Sequence, residues 1–358
     1  MHGDDILYYF HGMATLFFLY NIFLLLRIKN RTRLQKILSV IFIFWFLTTI
    51  LDFIFYTKLV RNEYIRTIVL MIDTLAAPAC SFFVLELVSP KWLTFKRAIY
   101  ILLPFIFMIL IYVFHPTPNF YELFLDLTVL FSIVIVVLVG FATTRYNKYI
   151  LKNYSYNENI DIKWIFPISV LFFITMILWA ITSYNINWLG DSIYYISSII
   201  LWTIIIFKTT NHINIFLPNN LEVNSLLKVT IDEPIQEPII LFEDSIHFDR
   251  LLKQAFEQKQ LYLNPKLTIN DVAHEIGTNR TYLSSYLNNE LKITFYDFIN
   301  SMRIEMKAKQ LLKEKARNLT IEEIAQESGF NSVSTFHRAF LKHTGKTPND
   351  FRRTNDGF

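Results

Sequence analysis

The feature that most constrains this chain is a series of long apolar runs in its first 210 residues. A helix needs about 20 consecutive apolar residues to cross a bilayer. Seven candidates are present, at roughly 6–26, 37–56, 65–88, 98–114, 121–142, 164–184 and 192–207. Hydrophobic residues make up 53% of the 358-residue chain and charged residues 18%, with a mean hydropathy of +0.35, which excludes an ordinary soluble protein. The first run has an acidic flank (Asp4, Asp5) and no small-residue cleavage site, so it is expected to remain as a membrane helix rather than a cleaved signal.

Orientation follows from the distribution of Lys and Arg in short loops. With the N-terminus outside, the inner segments hold thirteen (Arg27, Lys29, Arg31, Arg33, Lys36, Lys91, Lys96, Arg97, Arg145, Lys148, Lys152, Lys163, Lys208) and the outer ones three (Lys58, Arg61, Arg66). This predicts a multi-pass protein of a bacterial inner membrane, with residues beyond the seventh span in the cytoplasm. Trp92 and Trp164 near the inner ends and Trp188 near the outer end suit interfacial anchors.

Acidic residues inside spans are costly and mark candidate sites. Asp52, Asp73, Asp126 and Asp191, with Glu122 nearby, fall in the outer half under this topology, Asp73 and Asp126 deepest, whereas Glu86 lies near the inner end. They are candidates for a polar pocket open to the outside that takes a small-molecule or membrane signal; the alternative is helix ends in headgroup water and bonds to neighbouring helices. His11 and His115 read as ordinary interface residues. The one cysteine, Cys80, excludes an intrachain disulfide and any multi-cysteine metal site, and no cofactor or metal is implied.

Residues 211–245 change character, with Pro218, Pro234, Pro238, several Asn and an acidic run. The prolines break any continuous coiled coil, and 35 residues at about 3.3–3.6 Å each reach on the order of 100 Å. Residues 1–244 are neutral, so the basic excess that gives the chain its net +4 lies beyond them. The expected organisation is a seven-helix transmembrane bundle over 1–210, a linker over 211–245 and an all-helical cytoplasmic domain over 246–358, all-α throughout.

An internal repeat organises the last part. TINDVAHEIG at 268–277 and TIEEIAQESG at 320–329 share T-I-x-x-[VI]-A-x-E-x-G at a separation of 52. Thr320 and Glu323 form a capping-box pattern, the small Ala273 and Ala325 admit a second helix, and Gly277 and Gly329 supply a permissive turn. Helical spacing then turns Leu283 and Leu287 inward with Arg280, Thr281, Ser284 and Ser285 outward in the first unit. In the second it buries Phe336 and Phe340 and presents Val333, Ser334, His337 and Arg338. Tyr282, Phe295, Phe330 and Phe351 read as core. Between the units, a first helix near 248–258 having gone before, FYDFINSMRIEMKAKQLLKEK reads as one long amphipathic helix that spaces two recognition helices for successive major grooves about 34 Å apart.

These residues carry a resemblance. IAQESGFNSVSTFHRAFLKHTGKTPNDFRR follows A-x-x-x-G-F, S-x-F-x-R-x-F and G-x-T-P-x-x-[FY]-R, and RIEMKAKQLL follows R-x-x-x-A-x-x-L-L. The last hundred or so residues thus resemble the DNA-binding domain of the AraC/XylS family of bacterial transcription regulators. The resemblance implies double-stranded promoter DNA as a partner, with RNA polymerase and a homodimer also expected. It places base contacts on Thr281, Ser284 and Ser285 and on Val333, Ser334, His337 and Arg338. Lys342, Lys346, Arg352 and Arg353 fit backbone phosphates. Two departures stand out: Ser284 and Ser285 occupy positions where the family often has Arg, and Glu290-Leu291-Lys292 replaces the usual glycine after the first recognition helix. GKT at 345–347 is not a phosphate-binding loop, since Phe340 stands where a glycine is required, and no other enzyme motif is present. The reading is a membrane-bound one-component regulator; a transporter or channel with a regulatory helix-turn-helix tail is the alternative.

Overall fold

The computed structural model describes residues 3–56, 62–117, 119–158, 160, 162–184, 188–211, 242–313 and 318–355. The outer-loop residues Lys58 and Arg61 and nearly all of the 211–245 linker lie outside the described residues. The chain forms two compact units, one of residues 1–144 and 162–230, the other of 145–161 and 231–358. Both are helical, and the described residues contain no strand beyond one isolated bridge between Tyr154 and Thr268.

The first unit is a bundle with, among the described residues, seven segments long and apolar enough to cross a membrane. Its helices are α1 (Gly3–Arg27), α2 (Arg33–Tyr56), α3 (Glu63–Asp73), α4 (Ala76–Val88), α5 (Phe95–Phe114), α6 (Phe120–Asn153), whose residues from Arg145 on belong to the second unit, α7 (Ile165–Tyr184) and α8 (Trp188–Asn211). α1 packs on α2 and α8, α7 on α8, and α4 on α2 and α7. Large apolar side chains point outward from these helices, among them Leu16 (66% exposed), Val40 (67%) and Phe141 (73%). Such faces suit lipid, and hydroxyls buried within the bundle turn to their own backbone, as Thr128 Oγ1 donates to Phe124 O at 2.8 Å and Ser39 Oγ to Gln35 O at 2.8 Å.

The third span, expected as one helix, is two. Pro78 has no N–H to return to Thr74, whose own hydroxyl donates to Met71 O at 2.6 Å, and the helix breaks between Asp73 and Ala76. At the end opposite that break, Arg33 Nε lies 3.0 Å from Glu86 Oε1, fixing the start of α2 to the end of α4.

In the second unit, α9 (Phe242–Lys259) begins earlier than the sequence suggests and leads through a short turn at Leu261–Leu263 into α10 (Ile269–Glu275) and α11 (Arg280–Ser285). The long amphipathic helix follows as α12 (Phe295–Arg303) and α13 (Lys309–Lys313), joined by a widened turn at Ile304–Ala308 where Lys309 N–H bonds Ile304 O, five residues back. α14 (Ile321–Glu327), α15 (Val333–Thr344) and α16 (Pro348–Asn355) complete the unit. It has two cores. Phe256, Val272, Leu283, Leu287, Phe295 and Ile299 build the first, and Ile304, Leu312, Ile324, Phe330, Phe336 and Phe340 the second. The α12–α13 helix contributes to both, so it ties the repeats together through burial.

Candidate nucleic-acid interface

Each repeat builds the same device from the same residues. Thr268 Oγ1 accepts from Asp271 N–H at 3.3 Å while the Asp271 carboxylate accepts from Thr268 N–H at 2.8 Å. Fifty-two residues on, Thr320 and Glu323 do the same at 3.2 and 2.7 Å. The Glu323 carboxyl is held below its ordinary value by the Thr320 N–H and then by the Thr320 hydroxyl. Both turns pass through a left-handed glycine, Gly277 at φ +73° and Gly329 at φ +83°. Each is closed by a matching bond, Thr278 N–H to Ala273 O at 2.8 Å and Phe330 N–H to Ala325 O at 2.9 Å. The second helix of each pair is then capped, by Asn279 Oδ1 on Tyr282 N–H at 2.9 Å and by Ser332 Oγ on Thr335 N–H at 3.2 Å.

On α15, Phe336 and Phe340 are fully buried, whereas Ser334 and Arg338 are exposed and His337 is half-buried beside them. Arg338 Nη2 donates to Thr335 Oγ1 at 3.2 Å, which steadies the guanidinium on the helix surface. Val333 is half-buried against the second core.

On α11, Arg280 and Thr281 are exposed and Ser284 is half-buried. Ser285 differs from expectation: it is 1% exposed and its Oγ accepts from Asn289 Nδ2 at 3.0 Å, so it does not point outward. Ser285 ends the regular helix immediately before Tyr286 and Leu287, both in the first core, and it is covered there together with them. Tyr282, expected in the core, is instead 40% exposed on the same helix. Lys292 takes φ +53° after the helix, filling the left-handed position where the family's glycine is missing.

The four expected phosphate contacts divide. Lys346 and Arg353 are exposed. Lys342 Nζ lies 2.6 Å from Asp297 Oδ1, and Arg352 Nη2 donates to Leu319 O at 2.8 Å, tying α16 to the start of the second repeat.

The acids of the first unit also divide. Tyr195 Oη donates to Asp52 Oδ2 at 3.4 Å, and the Asp73 and Asp191 carboxyl groups, both buried, neighbour that of Asp52. Asp126 is exposed on α6 and is not part of this group. His11, expected at an interface, is buried: its Nε2 is 2.8 Å from Thr49 O and its ring is 4.9 Å from Tyr195. Asp73 lines a cavity of about 80 Å³ with Trp45, Thr74, Cys80, Phe131 and Trp202, and its Oδ1 is buried with no hydrogen-bond partner among the described residues.

Capped helix, glycine turn and capped second helix, repeated at 52 residues, define a double helix-turn-helix domain. Residues 260–354 match the family model described as a helix-turn-helix domain, which is of the AraC type. The chain therefore carries an AraC-type helix-turn-helix domain behind seven apolar helices. Similar proteins include an HTH-type transcriptional regulator of Staphylococcus aureus (strain COL), 29% identical over 108 residues, covering 30% of this chain and 14% of that protein. The Msm operon regulatory protein of Streptococcus mutans is 31% identical over 87 residues, 24% of this chain and 30% of that protein. The HTH-type transcriptional regulator YtdP of Bacillus subtilis is 32% identical over 88 residues, 25% and 11% respectively. The matches thus span under a third of the relatives' length. No solved structure matches the chain.

Proposed function

We propose that the chain is a membrane-bound, one-component transcription regulator whose C-terminal domain binds promoter DNA through α11 and α15. The observation that carries this reading is the duplicated, fully capped helix-turn-helix, which leaves Arg280, Thr281, Tyr282 and Ser284 on one recognition helix and Ser334, His337 and Arg338 on the other at its surface. A major groove accepts a helix that offers such donors and acceptors. Val333 contributes an apolar contact, Lys346 and Arg353 contact phosphates, and Lys342 and Arg352 position the helices that carry them. Ser285 acts by fixing Asn289 rather than by touching a base.

The N-terminus lies outside and the DNA-binding domain in the cytoplasm, in keeping with thirteen inner against three outer basic residues. The domain acts from the inner face of the membrane, as a homodimer in contact with RNA polymerase. The first unit senses the signal at Asp73 and Asp52, where a buried carboxylate oxygen faces an aromatic-lined cavity. Aromatic faces and a carboxylate favour a small cationic ligand, and the cavity is about half the volume of one that admits benzene. Binding alters helix packing or self-association and so the pairing of the DNA domains.

Chromatin precipitation of the full-length protein tests the central claim: enrichment at a small set of promoters is expected, and no enrichment refutes it. Asp73→Asn should abolish induction of those promoters while leaving the protein in the membrane. Induction that survives the change removes the sensing role from Asp73.

A further inference from the structure

Residues 149–158 run from the end of the fifth apolar helix, α6, into the stretch before the sixth, and they belong to the compact unit of the DNA-binding domain. Their contacts are specific. Ser155 N–H donates to Leu267 O at 3.1 Å, and Tyr154 pairs antiparallel with Thr268, the N-cap of α10. Ser155 is fully buried, and its carbonyl and hydroxyl accept from Arg303 Nη1 and Nη2, each at 3.1 Å. The same guanidinium also donates to Tyr262 O, Asn264 O and Asn300 Oδ1, so Ser155 completes a fully bonded buried cation. Burial lowers the Arg303 pKa to about 10, and the nearby Glu158 carboxylate acts in the opposite direction.

Two of the anchors fall where DNA is expected. Arg280 Nε donates to Asn153 Oδ1 at 2.6 Å, and its guanidinium lies 5.3 Å from the Tyr149 ring centre. Glu158 Oε1 accepts from Ser332 Oγ at 3.0 Å, at the N-cap of the twelve-residue α15. A carboxylate there holds the position that a DNA phosphate takes at a helix N-terminus, and it repels one.

We infer that the surface formed by Thr268, Arg280, Arg303 and Ser332 is an interaction surface whose partner is the chain's own 149–158 segment, and that this segment competes with duplex DNA. The inference rests on the DNA-binding reading given above. The segment begins within the last turns of α6, so a change in that helix reaches the DNA-binding surface without passing through the 211–245 linker. Withdrawal of the segment frees Arg280 and removes the Glu158 charge from α15.

A reversible lock tests it. Tyr154→Cys and Thr268→Cys are introduced into the full-length chain with Cys80→Ala, in lipid nanodiscs. Residues paired across an antiparallel bridge have Cα atoms about 4.5–5.5 Å apart, within the range a disulfide spans. The probe is random-sequence duplex DNA of about 40 base pairs, long enough for half-sites about 10 base pairs apart, at low salt. The oxidised form should bind at least about tenfold more weakly than the same protein after reduction, a difference of about 1.4 kcal/mol. The reduced double variant controls for the lost Thr268 cap. Equal binding by the two forms, or failure of the disulfide to form under oxidant, overturns the inference while leaving DNA binding intact. If neither form nor the unsubstituted chain retains the duplex, the DNA-binding reading fails and this inference with it.

Discussion

Gly277 and Gly329 occupy the same place in the two repeats, and replacing each by alanine separates what the turn demands from what packing demands. Both have positive φ, +73° and +83°. A side chain in that region costs roughly 1–2 kcal/mol. A Cβ on Gly277 meets nothing within 4 Å, so Gly277→Ala should cost only that strain. A Cβ on Gly329 falls 2.8 Å from Leu263 Cα, Leu263 O and Tyr262 O, all backbone atoms of the turn that leads into the first repeat. That turn cannot shift freely, because Tyr262 is buried in the first core and Tyr262 O is held by Arg303 Nε at 2.8 Å. Overpacking of this kind adds about 1–3 kcal/mol, giving about 2–5 kcal/mol for Gly329→Ala in all. Hydrogen exchange of full-length protein in nanodiscs reads the difference as local opening of residues 260–354. The excess over Gly277→Ala corresponds to a factor of roughly 5 to 150 in the opening constant, at about 1.4 kcal/mol per tenfold change. Equal protection in the two variants would refute the claim that Gly329 is fixed by contact between the repeats.

Arg338→Ala should weaken specific DNA binding by roughly 1–3 kcal/mol and relax preference at one base position, whereas Lys346→Ala should weaken all sequences alike and lower the salt dependence; competition with specific and random duplexes distinguishes them. Thr320→Ala removes one capping box and should lower protection of α14 amides by about 1 kcal/mol, with α10 unchanged. Arg303→Lys keeps the charge but not the planar fork that meets five acceptors. Each acceptor left unpaired should cost about 1–3 kcal/mol, seen as faster exchange in both repeats at once.

Much of the candidate interface was legible because its signals are local. The T-x-x-E pattern at Thr320 and the glycine nine residues after each repeat's first threonine depend on bonds within a few residues, so the sequence foretold the second repeat's cap and both turns. Phe336 and Phe340 were readable from helical spacing for the same reason. Ser285 and Tyr282 were misplaced because helical spacing does not report which neighbours cover a side chain: within one regular turn Ser285 is covered beside the buried Tyr286 and Leu287, and Tyr282 is not. Asp52 and Asp73, separated by 21 residues with Tyr195 far downstream, came together through packing that no periodicity reports.

The sequence by itself therefore determined the class of each part: seven apolar segments that require lipid or each other, and a repeated capped helix pair. Those features follow from transfer energies and short-range hydrogen bonds. Only the tertiary structure decided which acids lie together, which of two equivalent glycines is sterically obligatory, and that Ser155 completes the Arg303 site. Each of these depends on groups distant in sequence meeting at a few ångströms, where packing and buried hydrogen bonds set the outcome.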